Sequence, residues 1–194
     1  MPLLLASSSA IRRAMLDAAG IVYRVLPAGI DESAAKASIV EDPAAVALEL
    51  AKAKAQGVSA QHPGDWVIGS DSVVSVAGRL FDKPASRDEA AAHLRDFAGQ
   101  AMQLVSAVAL ARGGAIDWAQ SDSAMLHVRP LSEDFIADYL DREWPAVSHC
   151  VGVFRLEGPG VQLFERIEGD HFTILGMPLL PLLGALRERG VIAS

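Results

Sequence analysis

The sequence predicts an α/β protein in which helices cover a mixed β-sheet. Three observations point there. Short runs rich in leucine and β-branched residues alternate with segments that carry helix caps. A glycine pair in the middle interrupts that alternation with a hairpin signal. Half of the 194 residues are apolar, enough for a substantial core in one domain or two small lobes around a shared sheet. The elements do not repeat as strand–helix–strand units, which disfavours a simple doubly wound sheet.

Taken in order, PLLLA at residues 2–6 reads as a buried strand. Ser9 then caps a helix from about Ala10 to Ala19, stopped by Gly20. IVYRVLP is a second strand. Asp42 and Pro43 read as the cap and first residue of a helix that runs to Gly57. WVIGSDSVVSV predicts a strand, a break at Gly69–Ser70–Asp71, and a further strand. Ala77–Gly78 turns the chain, and Ser86 with Glu89 forms a capping box for a helix ending near Gly99. MQLVSAVALA and AIDWAQSDSAMLHV flank Gly113–Gly114 as a hairpin. A helix starts near Ser132, and FRLEGPGVQLFERIEG suggests two more short strands. The last helix begins at Pro178 and ends before Gly190.

Composition narrows the function. A net charge of −7 argues against a broad nucleic-acid surface but leaves room for a locally positive cleft and a small anionic ligand. Cys150 is the single cysteine, so neither an internal disulfide nor a cysteine zinc site is available, and a reducing, cytoplasmic setting is expected. The apolar stretch Pro2–Ala6 is too short for a signal peptide or a membrane span. MPLLPLLGAL reads as the packed face of a terminal helix. The histidines lack ligand spacing, Ser9 has no G-x-S-x-G elbow around it, and there is no phosphate loop of the G-x-x-x-x-G-K-[ST] kind.

Several residues carry chemistry, each beside a plainer reading. LASSSAIRR puts Ser7, Ser9, Arg12 and Arg13 at a helix N-terminus, where free N–H groups and the dipole suit phosphate. Arginines there oppose the dipole, and a bound anion would offset that. The plainer reading is an ordinary cap with two solvated arginines. Asp71 is either a metal ligand or general base, or a turn aspartate bonded to its own backbone. Lys83, held extended by Pro84, either reaches a phosphate or lies on a surface loop. Lys52 and Lys54 face different directions on a helix, so one of them can reach a cleft. Arg155 and Glu157, alternating along FRLEGPG, form either a salt bridge or a site for a base or metal. Glu168 and Asp170 in IEGD read as a turn, and Met102, Met125 and Met177 as core.

Together these segments resemble the Maf family of nucleoside triphosphate pyrophosphatases, nearly end to end. LASSSAIRRAML is similar to the family's L-A-S-x-S-P-x-R-x-x-L-L, and IDESAAKASIVEDPAAVALELAKAKA to its D-E segment leading into L-A-x-x-K-A. VIGSDSVVSVAGRLFDKP resembles G-x-D-[TS]-V-V…K-P. FAGQAMQLVSAVAL resembles S-G-x-x-H-x-V-x-T, and LFERIEGDHFTILGMPLLPLL resembles the closing I-E-G-D…V-G-L-P-L.

The resemblance implies a Maf/ITPase-like fold, an elongated mixed sheet with two lobes and a central cleft in a single domain over residues 1–194. It implies hydrolysis of a nucleoside triphosphate between the α- and β-phosphates, with Mg²⁺ or Mn²⁺, and commonly a homodimer, with neither nucleic acid nor membrane as partner. Ser9, Arg12, Arg13, Lys54 and Lys83 fall at phosphate-binding positions, Asp71 at the catalytic acid, and Glu32 with Asp71 at the metal. FRLEGPG matches F-x-x-E-G-x-G of the branch acting on 7-methyl-GTP, where the branch acting on dTTP and UTP has I-Q-G. A carboxylate such as Glu157 favours the cationic ring of N7-methylguanine over neutral bases. Ala10 stands in place of a proline, Ser72 and Ser106 in place of threonines, Glu49 in place of an arginine and Met102 in place of a histidine. The alternatives are a dTTP/UTP or broad-range pyrophosphatase, and a non-catalytic nucleotide-binding regulator of septum formation.

Overall fold

The computed structural model describes residues 2–29 and 42–193. Among these lie seven strands: β1 (Leu3–Leu5), β2 (Arg24–Val25), β3 (Trp66–Val76), β4 (Arg79–Phe81), β5 (Ala101–Arg112), β6 (Ala115–Val128) and β7 (Phe164–Glu168). The helices among the described residues are α1 (Ala10–Ala18), α2 (Pro43–Gln61), α3 (Arg87–Phe97), α4 (Glu133–Glu143), α5 (His171–Ile174) and α6 (Leu179–Glu188). The strands form one sheet in the order β2-β1-β3-β5-β6-β7, with β4 also on β3. The sheet is mixed: β1 pairs in parallel with β2 and β3, whereas β3–β4 and β6–β7 are antiparallel. No helix among the described residues is long and apolar enough to cross a membrane.

The chain divides into two compact units. The first comprises Met1–Ser72, Val105–Asp122 and Asp170–Ser194, and the second Val73–Leu104 and Ser123–Gly169. In the first, Leu3, Leu5 and Ile68 pack with Met15 and Leu16 of α1 and with Leu179, Leu182 and Leu186 of α6. The opposite face of β3 meets α2 at Gly69. A Cβ built there would stand 2.2 Å from the Ala51 carbonyl oxygen and 2.5 Å from the Ala55 nitrogen. In the second unit, Arg95 of α3 grips Glu133 of α4 through two bonds of 2.8 Å. Phe81, two residues before Lys83, packs edge-to-face with His93 and Phe97 of α3, and the Arg79 guanidinium lies over its ring at 4.2 Å.

Most local signals do what their chemistry predicts. Ser9, Asp42, Ser86 and Ser132 each accept a backbone N–H at a helix start. Gly113 and Gly114 turn the β5–β6 hairpin, both at positive φ (59° and 80°). Three readings are corrected. Gly69–Ser70–Asp71 is no break: β3 runs straight through it, because Gly69 serves the approach of α2 rather than a turn. Helix α2 continues past Gly57 to Gln61, ahead of Pro63. FRLEGPGVQLFERIEG holds one strand, β7, preceded by a turn and a 3-10 segment at Pro159–Leu163, since glycines and a proline dominate its first half.

The close approach at Gly69 makes a stability prediction. Gly69→Ala is expected to lower the unfolding free energy by about 1–3 kcal/mol, the usual range for overpacking. Gly184→Ala, on α6 with open space around it, should be neutral or stabilising by up to about 1 kcal/mol. Urea denaturation midpoints of the two variants check both.

Candidate active site

Strand β1 ends against β3 at Ile68: Leu5 is in register with Ile68, and the Ala6 N–H still donates to the Ile68 carbonyl at 2.7 Å. Beyond that point the chain turns through Ser7–Ser9 into α1, leaving residues 69–72 of β3 beside a helix N-terminus. Ligands of open α/β sheets collect at such carboxyl ends of parallel strands. Side chains of β3 alternate between its two faces, and both faces are polar here.

On the α2 face, Lys54 Nζ donates to Asp71 Oδ1 at 2.5 Å. Both side chains are buried, at 10% and 11% exposure. Gly69, two residues before Asp71, lets α2 come close enough for this contact. Asp71 Oδ2 accepts no hydrogen bond among the described residues. Lys52, one helix position off this face, pairs instead with Glu49 at the surface.

On the other face, the Gly176 carbonyl oxygen accepts from Arg12 Nε (2.9 Å), Ser70 Oγ (3.1 Å) and Ser72 Oγ (3.2 Å). The same guanidinium donates to Ser72 Oγ at 3.0 Å and to Ser7 Oγ at 3.3 Å. Ser106 Oγ lies 2.9 Å from Ser72 Oγ and donates to the Thr173 carbonyl at 2.7 Å. Each hydroxyl has one proton, so Ser72 donates to either Ser106 or Gly176. Thr173 Oγ1 in turn donates to Asp122 Oδ2 at 2.8 Å. Asp170 caps α5 through the Thr173 N–H at 3.0 Å, and the end of that helix leads to Gly176 at φ 109°. IEGD is not a turn throughout: Ile167 and Glu168 end β7, Gly169 bends the chain at φ 131°, and Asp170 caps the helix that leads to the carbonyl seating Arg12.

Residues 2–189 match the family described as Maf-like protein. The chain belongs to the Maf-like family. This Maf-like chain is 50% identical over 193 residues to the 7-methyl-GTP pyrophosphatase of Rhizobium etli, covering 98% of itself and 97% of that relative. It is 48% identical over 191 residues to the nucleoside triphosphate pyrophosphatase of Granulibacter bethesdensis, covering 97% of each. Among solved structures, the Staphylococcus aureus Ham1 protein aligns with 98% of this chain and 100% of its own at 14% identity and a TM-score of 0.49.

In the first unit of this Maf-like protein Lys54 meets Asp71 on one face of β3, and Arg12 reaches Ser72 on the other. Ser9 acts as the plain cap, accepting the Arg12 N–H at 3.5 Å. Arg13 does not join them. It is exposed and lines a surface hollow with Asp17 and Tyr23. Glu32 lies outside the described residues. Lys83 and Glu157 belong to the second unit. The charges of both reach Cys150, whose thiol is pushed up to about 11, mainly by burial and next by Glu157, with Lys83 and Arg155 acting in the opposite sense. Arg155 makes its salt bridge with Glu143 rather than with Glu157 (Nε–Oε2, 2.8 Å). Met102 is buried in the second unit, as a core methionine should be.

The network around Arg12 also draws on residues that the sequence does not single out: Ser70, Gly176, Thr173 and Asp122. Ser70 sat inside a supposed break, and the rest act through bonds across more than fifty residues. Removing one member of a buried ion pair strands the other charge, so Lys54→Met should cost about 3–5 kcal/mol of stability. Adding Asp71→Leu to Lys54→Met should recover most of that loss, as judged by chemical denaturation.

Proposed function

We propose that this Maf-like protein hydrolyses nucleoside triphosphates to the monophosphate and pyrophosphate, with 7-methyl-GTP as its preferred substrate. The observation that carries the reaction type is the buried Lys54–Asp71 pair at the end of β1, one residue from the Ser72 that Arg12 grips. A buried acid held by a lysine suits an activated water, and a guanidinium fixed at the next residue of the same strand, near a helix N-terminus, suits a polyphosphate. The substrate class rests on the names of relatives at 50% and 48% identity and on Glu157.

The residues present fit a divalent cation in one particular way. Among the described residues no three His, Cys, Asp or Glu side chains converge as a ready metal cage. Mg²⁺, and Mn²⁺ like it, is commonly held by one or two carboxylates together with substrate phosphates. Asp71 offers the oxygen that Lys54 leaves open, and Glu32 is the second carboxylate proposed for this role. When bound, the cation neutralises charge on the phosphate oxygens.

The chain's own contribution is position and proton handling. Lys54 fixes the Asp71 carboxylate through Oδ1, and the carboxylate so held orients the attacking water and accepts its proton as the oxygen bonds to the α-phosphorus. Pyrophosphate departs as the α–β bridge breaks. Arg12 is pre-set by Gly176 and Ser72 and meets phosphate without first being ordered. The α1 N-terminus at Ser9 supplies N–H donors to the same group, and Lys83 adds a second cation. Glu157 favours a base that carries positive charge.

Pyrophosphate release from a panel of triphosphates, with Mg²⁺ or Mn²⁺, tests the reading. Asp71→Asn is expected to reduce turnover by about 10²–10⁴-fold while nucleotide binding survives. Undiminished release in that variant removes Asp71 from the reaction. Glu157→Gln is expected to lower the preference for 7-methyl-GTP over UTP, and an unaltered ratio removes Glu157 from base recognition.

A further inference from the structure

Helix α4 carries two buried polar side chains on its apolar face, one turn apart: Tyr139 and Glu143, each only 3% exposed. Both reach into the segment that leads to Glu157. Tyr139 Oη donates to the Val153 carbonyl at 2.9 Å. The Glu143 carboxylate takes Arg155 in a two-pronged grip, Nε to Oε2 at 2.8 Å and Nη2 to Oε1 at 2.9 Å. This fork geometry fixes orientation as well as charge. Arg155 then closes a tight turn, its carbonyl accepting the Gly158 N–H at 3.1 Å. Glu157 occupies the third position of that turn and is exposed, whereas Gly152, Val153 and Phe154 before it and Gly160 after it are buried.

The segment is held in a conformation it would not adopt unaided. Val153 stands at φ +54°, a region that β-branched residues avoid. Such outliers persist where surrounding contacts over-determine them, and they gather at functional sites. The glycines leave no slack. A Cβ on Gly152 would lie 2.6 Å from the Phe154 ring, and one on Gly160 would lie 2.5 Å from the Arg155 carbonyl oxygen. Helix, strained valine, ion pair and glycines all converge on a turn whose single exposed tip is a carboxylate.

We propose that Tyr139 and Glu143 are positioning residues that hold the Arg155–Gly158 turn pre-formed, so that Glu157 presents its charge to a cationic, N7-alkylated base without an ordering cost. This rests on the reading of Glu157 as the base-selecting group. A carboxylate on a loose turn would gain as much from the ligand's charge and lose it again in ordering the loop. The clamp therefore governs selectivity and leaves the handling of the triphosphate to other residues.

The test is a double-substitution cycle read as the ratio of kcat/KM for 7-methyl-GTP to that for UTP. Glu143→Gln is expected to lower this ratio by about as much as Glu157→Gln does. The doubly substituted protein should lose no more than Glu157→Gln alone, because coupled residues are not additive. Turnover of UTP by Glu143→Gln should stay within about twofold of the parent. Tyr139→Phe and Arg155→Lys, which preserve ring and charge, serve if Glu143→Gln fails to fold, and each should reproduce the partial loss of selectivity. Additive losses, or equal losses on both substrates, overturn the clamp and leave Glu157 in place. A ratio that Glu157→Gln leaves unchanged overturns the underlying reading instead.

Discussion

How closely helix α2 can approach strand β3 decides whether Lys54 and Asp71 can pair at all. Lys54 and Asp71 are buried, and an ion pair taken out of water is favourable only when its geometry is good. The 2.5 Å contact meets that demand, and it exists because position 69 has no side chain. Gly69 and Asp71 share one face of the strand, and Ala51, Lys54 and Ala55 share the facing side of the helix. Small residues at the crossing point draw the backbones together, and the long lysine side chain beside them spans the remaining gap. Packing and electrostatics are here one constraint.

The opposite face of the same strand solves a different problem. A guanidinium among serines needs every donor and acceptor matched, because half-satisfied buried networks are costly. The Gly176 carbonyl meets that need with Arg12 and Ser70 as donors and Ser72 within reach as a third, and its backbone can point that way because glycine tolerates φ 109°. Asp170, the α5 cap, fixes the chain just before it. The acid of IEGD thus acts on Arg12 at one remove, through a four-residue helix. Ser72 and Ser106 supply hydroxyls that the network uses.

What the sequence made legible was chemistry that acts over a few residues. Caps, turn glycines and the hairpin depend on near neighbours, and Ser9, Asp42, Ser86 and Gly113–Gly114 were readable for that reason. Gly69 was misread because a glycine that admits a distant helix looks like a glycine that breaks a strand. Arg12 and Arg13 are adjacent on a helix and about 100° apart around it, so only tertiary structure separates the half-buried one from the exposed one. FRLEGPG mimics strand alternation while its glycines and proline set a turn. Glu143 left a faint signal: it falls on the stripe of Ile136, Tyr139 and Leu140, where an acid is out of place unless paired.

The bond between Arg12 and Gly176 spans 164 residues of sequence. A ribosome delivers Arg12 early and Gly176 near the finish, so throughout most of translation the guanidinium lacks the carbonyl that seats it. The seating of Arg12 is consequently a late event in the life of the nascent polypeptide. A chain cut short before residue 176 would emerge with its opening motif intact and that motif's central contact missing.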